Sequence, residues 1–195
     1  MPGTTDSLGR QPPPYAAVMR PLPGTVLHFS EDPTIGEFVP RVAPTSSDPE
    51  PVVWAVDAER APDYWFPRAC PRALAWVTAT TLDEDRLAIL GPSASRVHVI
   101  EYGWLVRLQT VRLYAYAFDA ADFQPYADDP TSHAHVARTT VRPLDPPAEV
   151  GDLVVAHDRA GIELRLVSSL WPWWDAVIAS TVGFSGIRLR NARAH

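Results

Sequence analysis

Short runs of β-branched and aromatic residues, punctuated by proline and glycine, recur along the whole chain. TVLHFS at Thr25–Ser30 has the composition of a strand, and the apolar run Val52–Val56 that of a short buried one. RALAWVT from Arg72 and RVHVI from Arg96 predict two more. Alternation in the second of these places Val97 and Val99 on one face and His98 on the other. VRLYAYAF, Val111–Phe118, is the strongest strand signal; it is largely apolar on both faces, which predicts a central place in its sheet. Ala134–Leu144, Ile162–Val167 and a last segment from Gly183 into IRLRN complete the strand set.

Helical patterns are shorter. Asp57 is placed to cap a helix starting at Ala58, with Pro62 in its first turn and Pro67 ending it. Thr81–Glu84 has capping-box spacing ahead of a short helix that Gly91-Pro92 stops, and Glu101-Tyr102-Gly103-Trp104 leads into a segment through about Thr110. Val150–Ala160 reads as a helix closed by Gly161. LWPWWDAVIAST reads as a final helix capped by Ser168 or Ser169. Residues 1–24 are a Pro/Gly-rich lead, read as a flexible arm before one domain at 25–195. Strands and helices alternate irregularly, without a βαβ rhythm or a GxGxxG turn. The expected class is α+β, with a split, mostly antiparallel sheet and short helices.

Composition narrows the chemistry. A chain of 195 residues supports one well-buried core, and its net charge of −6 argues against binding nucleic acid through its phosphates. All 17 basic residues are arginine, which excludes Schiff-base chemistry and a Walker A lysine. Any anionic ligand must then be met by Arg, His, backbone N–H groups or a metal. The single cysteine, Cys70, permits no internal disulfide. No stretch has the length of a membrane span, so a soluble, cytoplasmic protein is expected.

The segment VVWAVDAERAPDYWFPRACPR, Val52–Arg72, concentrates candidate site residues. Arg68 and Arg72 follow a proline-ended helix that carries Trp65, so two guanidiniums could hold a phosphate or carboxylate beside an aromatic wall. Salt bridges to Asp57, Glu59 or Asp63 are the structural alternative for both. Trp54, Trp76, Trp171, Trp173 and Trp174, with Trp65, read as core and walls. His133-Ala134-His135 presents two imidazoles on one side of an extended segment, too little to predict a metal site.

The words LHFSEDPTIGEFVPR, VWAVDAERAPDYWFPRACPR, EYGWL, GDLVVAHDRAGIELR and LWPWWDAVIASTVGFSGIRLRN resemble an uncharacterised family of small bacterial proteins, over roughly Val26–Asn191. Behind this lies a fainter similarity to the ADP-ribosyltransferase-like fold: a first strand carrying His28 and Ser30, then VWAV followed by a helix with Tyr64. That similarity implies NAD as a possible cofactor, with His28 at its ribose, Ser30 among the binding residues of the same strand and Tyr64 beside its nicotinamide. It also implies a late acid that stabilises a ribosyl cation, a place for which Glu163 and Glu101 compete. The expected partner is a small nucleotide-like or anionic molecule. Two rival readings stand beside it: a non-catalytic binding protein with the same pocket, and a metabolic enzyme with a Trp-lined apolar cavity.

Overall fold

The computed structural model describes residues 22–42, 50–128 and 132–194, so the proposed arm at 1–24 lies almost wholly outside the described residues. Ten strands form two sheets. In the first, of six strands, the order is β6 (Gln124–Pro125), β7 (Ala134–Ala137), β2 (Val53–Val56), β1 (Thr25–Ser30), β5 (Tyr114–Asp119), β8 (Ala148–Glu149), and every pairing is antiparallel. In the second, β10 (Gly183–Ile187), β3 (Arg72–Trp76) and β4 (Arg96–Glu101) run antiparallel, and β9 (Glu163–Val167) lies parallel to β4 at the edge. The helices are short: α1 (Asp83–Asp85, continued by a π-turn at Arg86–Leu90), α2 (Leu105–Thr110), α3 (Leu153–Arg159) and α4 (Trp171–Ile178). This is the α+β architecture with a split, mostly antiparallel sheet that the sequence pattern predicts.

One core joins the two sheets. Leu74 and Ile100 from the second sheet meet Ala115 from the first, Leu108 from α2, and Leu153 and Ala156 from α3, around Trp65 and Phe66. A second cluster lies on the other face of β3 and β4, where Ala73, Ala75, Val97 and Val99 pack against Leu170 and Val177 of α4 and Leu90 of the π-turn. Burying each large side chain in these clusters contributes roughly 1.5–3 kcal/mol. Because both faces of β4 are covered, the predicted alternation does not separate a wet face from a dry one: His98 is as buried as Val97 and Val99.

Three expectations require correction. The helix predicted from Ala58 to Pro67 forms only as a 3₁₀ turn at Ala61–Tyr64. Asp57 accepts the Arg60 N–H at 2.9 Å and so holds the turn ahead of it rather than capping it, and Pro62 and Pro67 lack N–H donors and leave no room for a second turn. Val111–Phe118 becomes β5, placed not centrally but one strand from the edge, covered there only by the two residues of β8. The strand predicted at Ala134–Leu144 stops at Ala137, and Val141 instead makes an isolated bridge to Phe38.

Candidate functional site

Four distant segments meet at one cleft. It has a volume of about 340 Å³ and is lined by Glu31, Pro67, Arg68, Ala69, Trp104, Arg107, Arg188, Arg190 and Asn191. Four arginines and one glutamate line it, in a chain whose net charge is −6. Such a local reversal of sign draws anions into a cleft.

Each wall has a local cause. Glu31 follows β1 directly. Its loop is held by the Ser30 hydroxyl, which accepts the Asp32 N–H at 3.1 Å, and by the Tyr116 hydroxyl, which donates to the Asp32 carbonyl at 2.6 Å and accepts the Ile35 N–H at 3.1 Å. Glu31 then spans the cleft floor: Oε1 accepts the Arg68 backbone N–H at 2.8 Å and Oε2 accepts from Arg107 of α2 at 2.6 Å. Trp104, at the start of α2, supplies the aromatic wall. On the opposite side β10 ends at Arg188, whose backbone is left-handed at φ 58°, and the chain doubles back as a 3₁₀ turn at Leu189–Asn191. Gly186 makes that return possible, since a Cβ there would lie 2.5 Å from Leu189 and 2.7 Å from Trp174. Asn191 ties the turn down by donating Nδ2–H to the Ala69 carbonyl at 2.7 Å.

Arg188 stands in a position where a non-glycine backbone is disfavoured by about 1–2 kcal/mol. Burial, together with the charges of Arg68 and Arg190, pushes its guanidinium pKa down. Among the described residues, neither Arg68 nor Arg188 has a carboxylate within ion-pair distance. Strain and like-charge crowding without a counterion are the marks of a site built for one.

Of the residues that the sequence grouped into one pocket, Arg68 lines this cleft, and its expected neighbours do not join it. Arg72 is 3% exposed and spends its guanidinium on two backbone carbonyls, Asp63 at 2.8 Å and Cys70 at 3.1 Å, beside the Phe66 and Tyr64 rings; burial lowers its pKa to about 10. His28 donates Nδ1–H to the Trp54 carbonyl at 2.7 Å and lies edge-on to Phe38. Trp65 is core, and Tyr64 lies parallel to Phe29 with centroids 6.5 Å apart. Glu101 is a buried backbone acceptor, taking N–H groups from Leu170 at 3.3 Å and Arg193 at 3.1 Å. Glu163, at the sheet edge, pairs with Arg165 at 2.7 Å. The shared cleft expected for His28, Arg68 and Arg72 thus contains Arg68 alone. Cys70, its thiol pushed up to about 12 by burial, is no nucleophile. His133 pairs with Asp57 at 2.5 Å, and no cluster of three potential metal ligands occurs among the described residues.

Because Glu101 accepts two backbone N–H groups, that of Leu170 and, through both oxygens, that of Arg193, Glu101→Ala should cost about 1–3 kcal/mol. Chemical denaturation checks this; a loss below about 0.5 kcal/mol would show the cap to be dispensable.

A second polar constellation, which the sequence did not reveal, lies buried behind the 3₁₀ turn. The His157 Nδ1–H donates to the Leu153 carbonyl at 2.6 Å, its Nε2 lies 3.0 Å from His98 Nδ1, and His98 Nε2 lies 3.2 Å from Asp63. Asp63 is also paired with Arg96, and Arg60 lies 4.0 Å away. Burial alone would raise the Asp63 carboxyl; His98 and Arg96 outweigh it and hold the carboxyl below its usual range. Burial holds His98 below 6.5 against the pull of Asp63, and burial with the neighbouring His98 holds His157 at about 3. None of these groups lines the arginine cleft, and His98 and His157 are fully buried, so they form a structural network.

The sign of the pH dependence follows. Below pH 6.5 the unfolded chain protonates these histidines while the folded chain does not, so their contribution is complete above 6.5 and is lost as the pH falls towards 3. Asp63, depressed in the fold, adds a loss of the same sign at the acid end. The melting temperature should fall monotonically from pH 7 to pH 4; a flat profile would contradict the neutral, buried assignment.

The chain belongs to a family of unknown function, DUF6886, which matches residues 27–192. No curated protein and no solved structure matches it. None of these comparisons supports the fainter similarity to ADP-ribosyltransferases, which rests on the sequence words alone.

Proposed function

We propose that this protein binds a small anionic molecule, one bearing a phosphate group, in the cleft between Arg68 and Arg188. The observation that carries the reading is the pair of guanidiniums without a carboxylate partner, one of them on a left-handed backbone, in an acidic chain. Arginine forks match phosphate oxygens in bidentate geometry, and Trp104 offers a ring face to a flat or apolar part of the ligand. The volume of about 340 Å³ suits one phosphorylated unit, near the lower end of the roughly 300–1,000 Å³ usual for small-molecule sites. Such a charged lining argues against the alternative of an apolar substrate cavity.

Enzymatic transfer at the N-glycosidic bond of NAD is the less favoured reading. It needs a carboxylate opposite the sugar carbon that gains positive charge. Glu101 is committed to backbone N–H groups and Glu163 to Arg165, so Glu31 is the acid in reach of a ligand in this cleft.

Thermal denaturation with pyrophosphate and with NAD, combined with an assay for nicotinamide release, separates the readings. Pyrophosphate should raise the melting temperature in a concentration-dependent and salt-sensitive manner, and NAD should yield no nicotinamide above buffer. Absence of any shift with millimolar pyrophosphate at low salt would overturn anion binding. Nicotinamide release would replace the binding reading with the enzymatic one.

A further inference from the structure

We infer that the cleft takes a phosphorylated sugar or nucleotide rather than a bare inorganic anion, with Glu31 accepting a hydroxyl of the same molecule whose phosphate the arginines hold. The inference rests on the proposed anion binding and names its ligand class.

Glu31 is the feature that bare anion binding does not explain. A carboxylate in the floor of an arginine cleft cancels part of the attraction and repels a phosphate directly. It is nevertheless held from two separate elements, by the Arg68 backbone N–H at 2.8 Å and the Arg107 side chain at 2.6 Å. These contacts fix its orientation without burying it: its side chain stays 29% exposed. An ionised carboxylate offers about four acceptor sites, of which these two contacts use two. What remains is a fixed acceptor of negative charge, and its natural partner is a hydroxyl donor.

Asn191 adds a second acceptor. Its amide gives one N–H to the Ala69 carbonyl, which fixes the group and leaves Oδ1 as an acceptor for a ligand. The cleft thus joins donors that suit phosphate oxygens, two acceptors that suit hydroxyls, and the Trp104 ring. A molecule with an anionic group and adjacent hydroxyls satisfies all three, whereas pyrophosphate or sulfate engages the arginines but leaves the acceptors without a donor.

Calorimetric titration at fixed ionic strength tests this with three probes: inorganic phosphate, methyl phosphate and ribose 5-phosphate. Wild-type protein should bind ribose 5-phosphate about tenfold or more tightly than methyl phosphate, the worth of one hydrogen bond to a charged acceptor. In Glu31→Ala that preference should shrink to within about twofold, with phosphate and methyl phosphate binding no more weakly than in wild type. Equal wild-type affinity for the two phosphoesters overturns the inference. So does an equal loss for all probes in Glu31→Ala, which would make Glu31 a prop for Arg107. Should Glu31→Ala fail to fold, the wild-type comparison decides alone. If no probe binds wild type, the proposed anion binding itself falls, a result distinct from binding without preference.

Discussion

Asp63→Ala lowers the melting temperature by roughly 10 °C, the consequence of a loss of about 3–5 kcal/mol at some 2–4 °C per kcal/mol for a chain of this size. Asp63 is 4% exposed and faces Arg96, Arg60 and His98. Removing it strands a buried imidazole and leaves the largely buried guanidiniums of Arg96 and Arg60 without their carboxylate, which costs more than the pair contributed while intact. The loss spreads further, because the Asp63 carbonyl accepts from buried Arg72 and the same 3₁₀ turn leads into Trp65 and Phe66. Glu163→Ala is the matched control: its carboxylate is 45% exposed and pairs only with Arg165, so its removal should change the melting temperature by no more than about 2 °C. Calorimetry on the two variants checks both values. A shift below about 3 °C for Asp63→Ala would show that the buried row of carboxylate and imidazoles does not hold the turn.

Arg188→Gly, by contrast, weakens phosphate-ester binding by roughly 10- to 100-fold while leaving the melting temperature within about 2 °C of wild type. Among the described residues this guanidinium has no carboxylate within ion-pair distance, and a charge-assisted bidentate contact accounts for that loss of affinity. Stability behaves differently because glycine adopts φ 58° freely, and removing Arg188 also relieves its repulsion with Arg68 and Arg190. Those gains offset the greater entropy of glycine in the unfolded chain. A residue whose removal is harmless to the fold and ruinous to binding is the signature of stability given up for function. Parallel melting and titration experiments separate the two effects; a drop in melting temperature of several degrees with affinity unchanged would assign Arg188 to the fold instead.

Much of the architecture is legible in local pattern. TVLHFS, RALAWVT, RVHVI and IELRLV form strands near their predicted limits because each run of β-branched and aromatic residues is bounded by turn formers. Asp152 and Gly161 bracket α3 by ordinary capping: the Asp152 carboxylate accepts from Val154 and Val155, and Gly161 takes φ 67°. Pattern fails where two signals compete in one segment. Between Asp57 and Pro67 the apolar spacing suggests a helix, but two prolines five residues apart allow one turn.

The site was legible only in part, for a topological reason. Arg68 stands out in sequence because it follows the Trp65 segment. Glu31, Trp104, Arg107, Arg188 and Arg190 belong to elements far apart in the chain, and only the return of β10 beside β3 brings the last two to Arg68. The doubled arginine of IRLRN, directly after a strand, was the available hint. His98 and His157 are separated by 59 residues and each reads alone as an unremarkable polar residue in an apolar run. Their contact depends on α3 packing over β4, which no local signal specifies. Arg72 shows the opposite error: it resembles Arg68 in sequence, yet it begins β3 and so points into the core rather than the cleft.

The most direct measurement is a crystal soaked in tungstate, a phosphate-shaped oxyanion that anomalous scattering locates without ambiguity. A peak should appear between the Arg68 and Arg188 guanidiniums, within hydrogen-bond reach of both, and should vanish in crystals of Arg188→Gly. A cleft without tungstate at low ionic strength, or a peak that persists unchanged in the variant, would contradict the assignment of these arginines as an anion site.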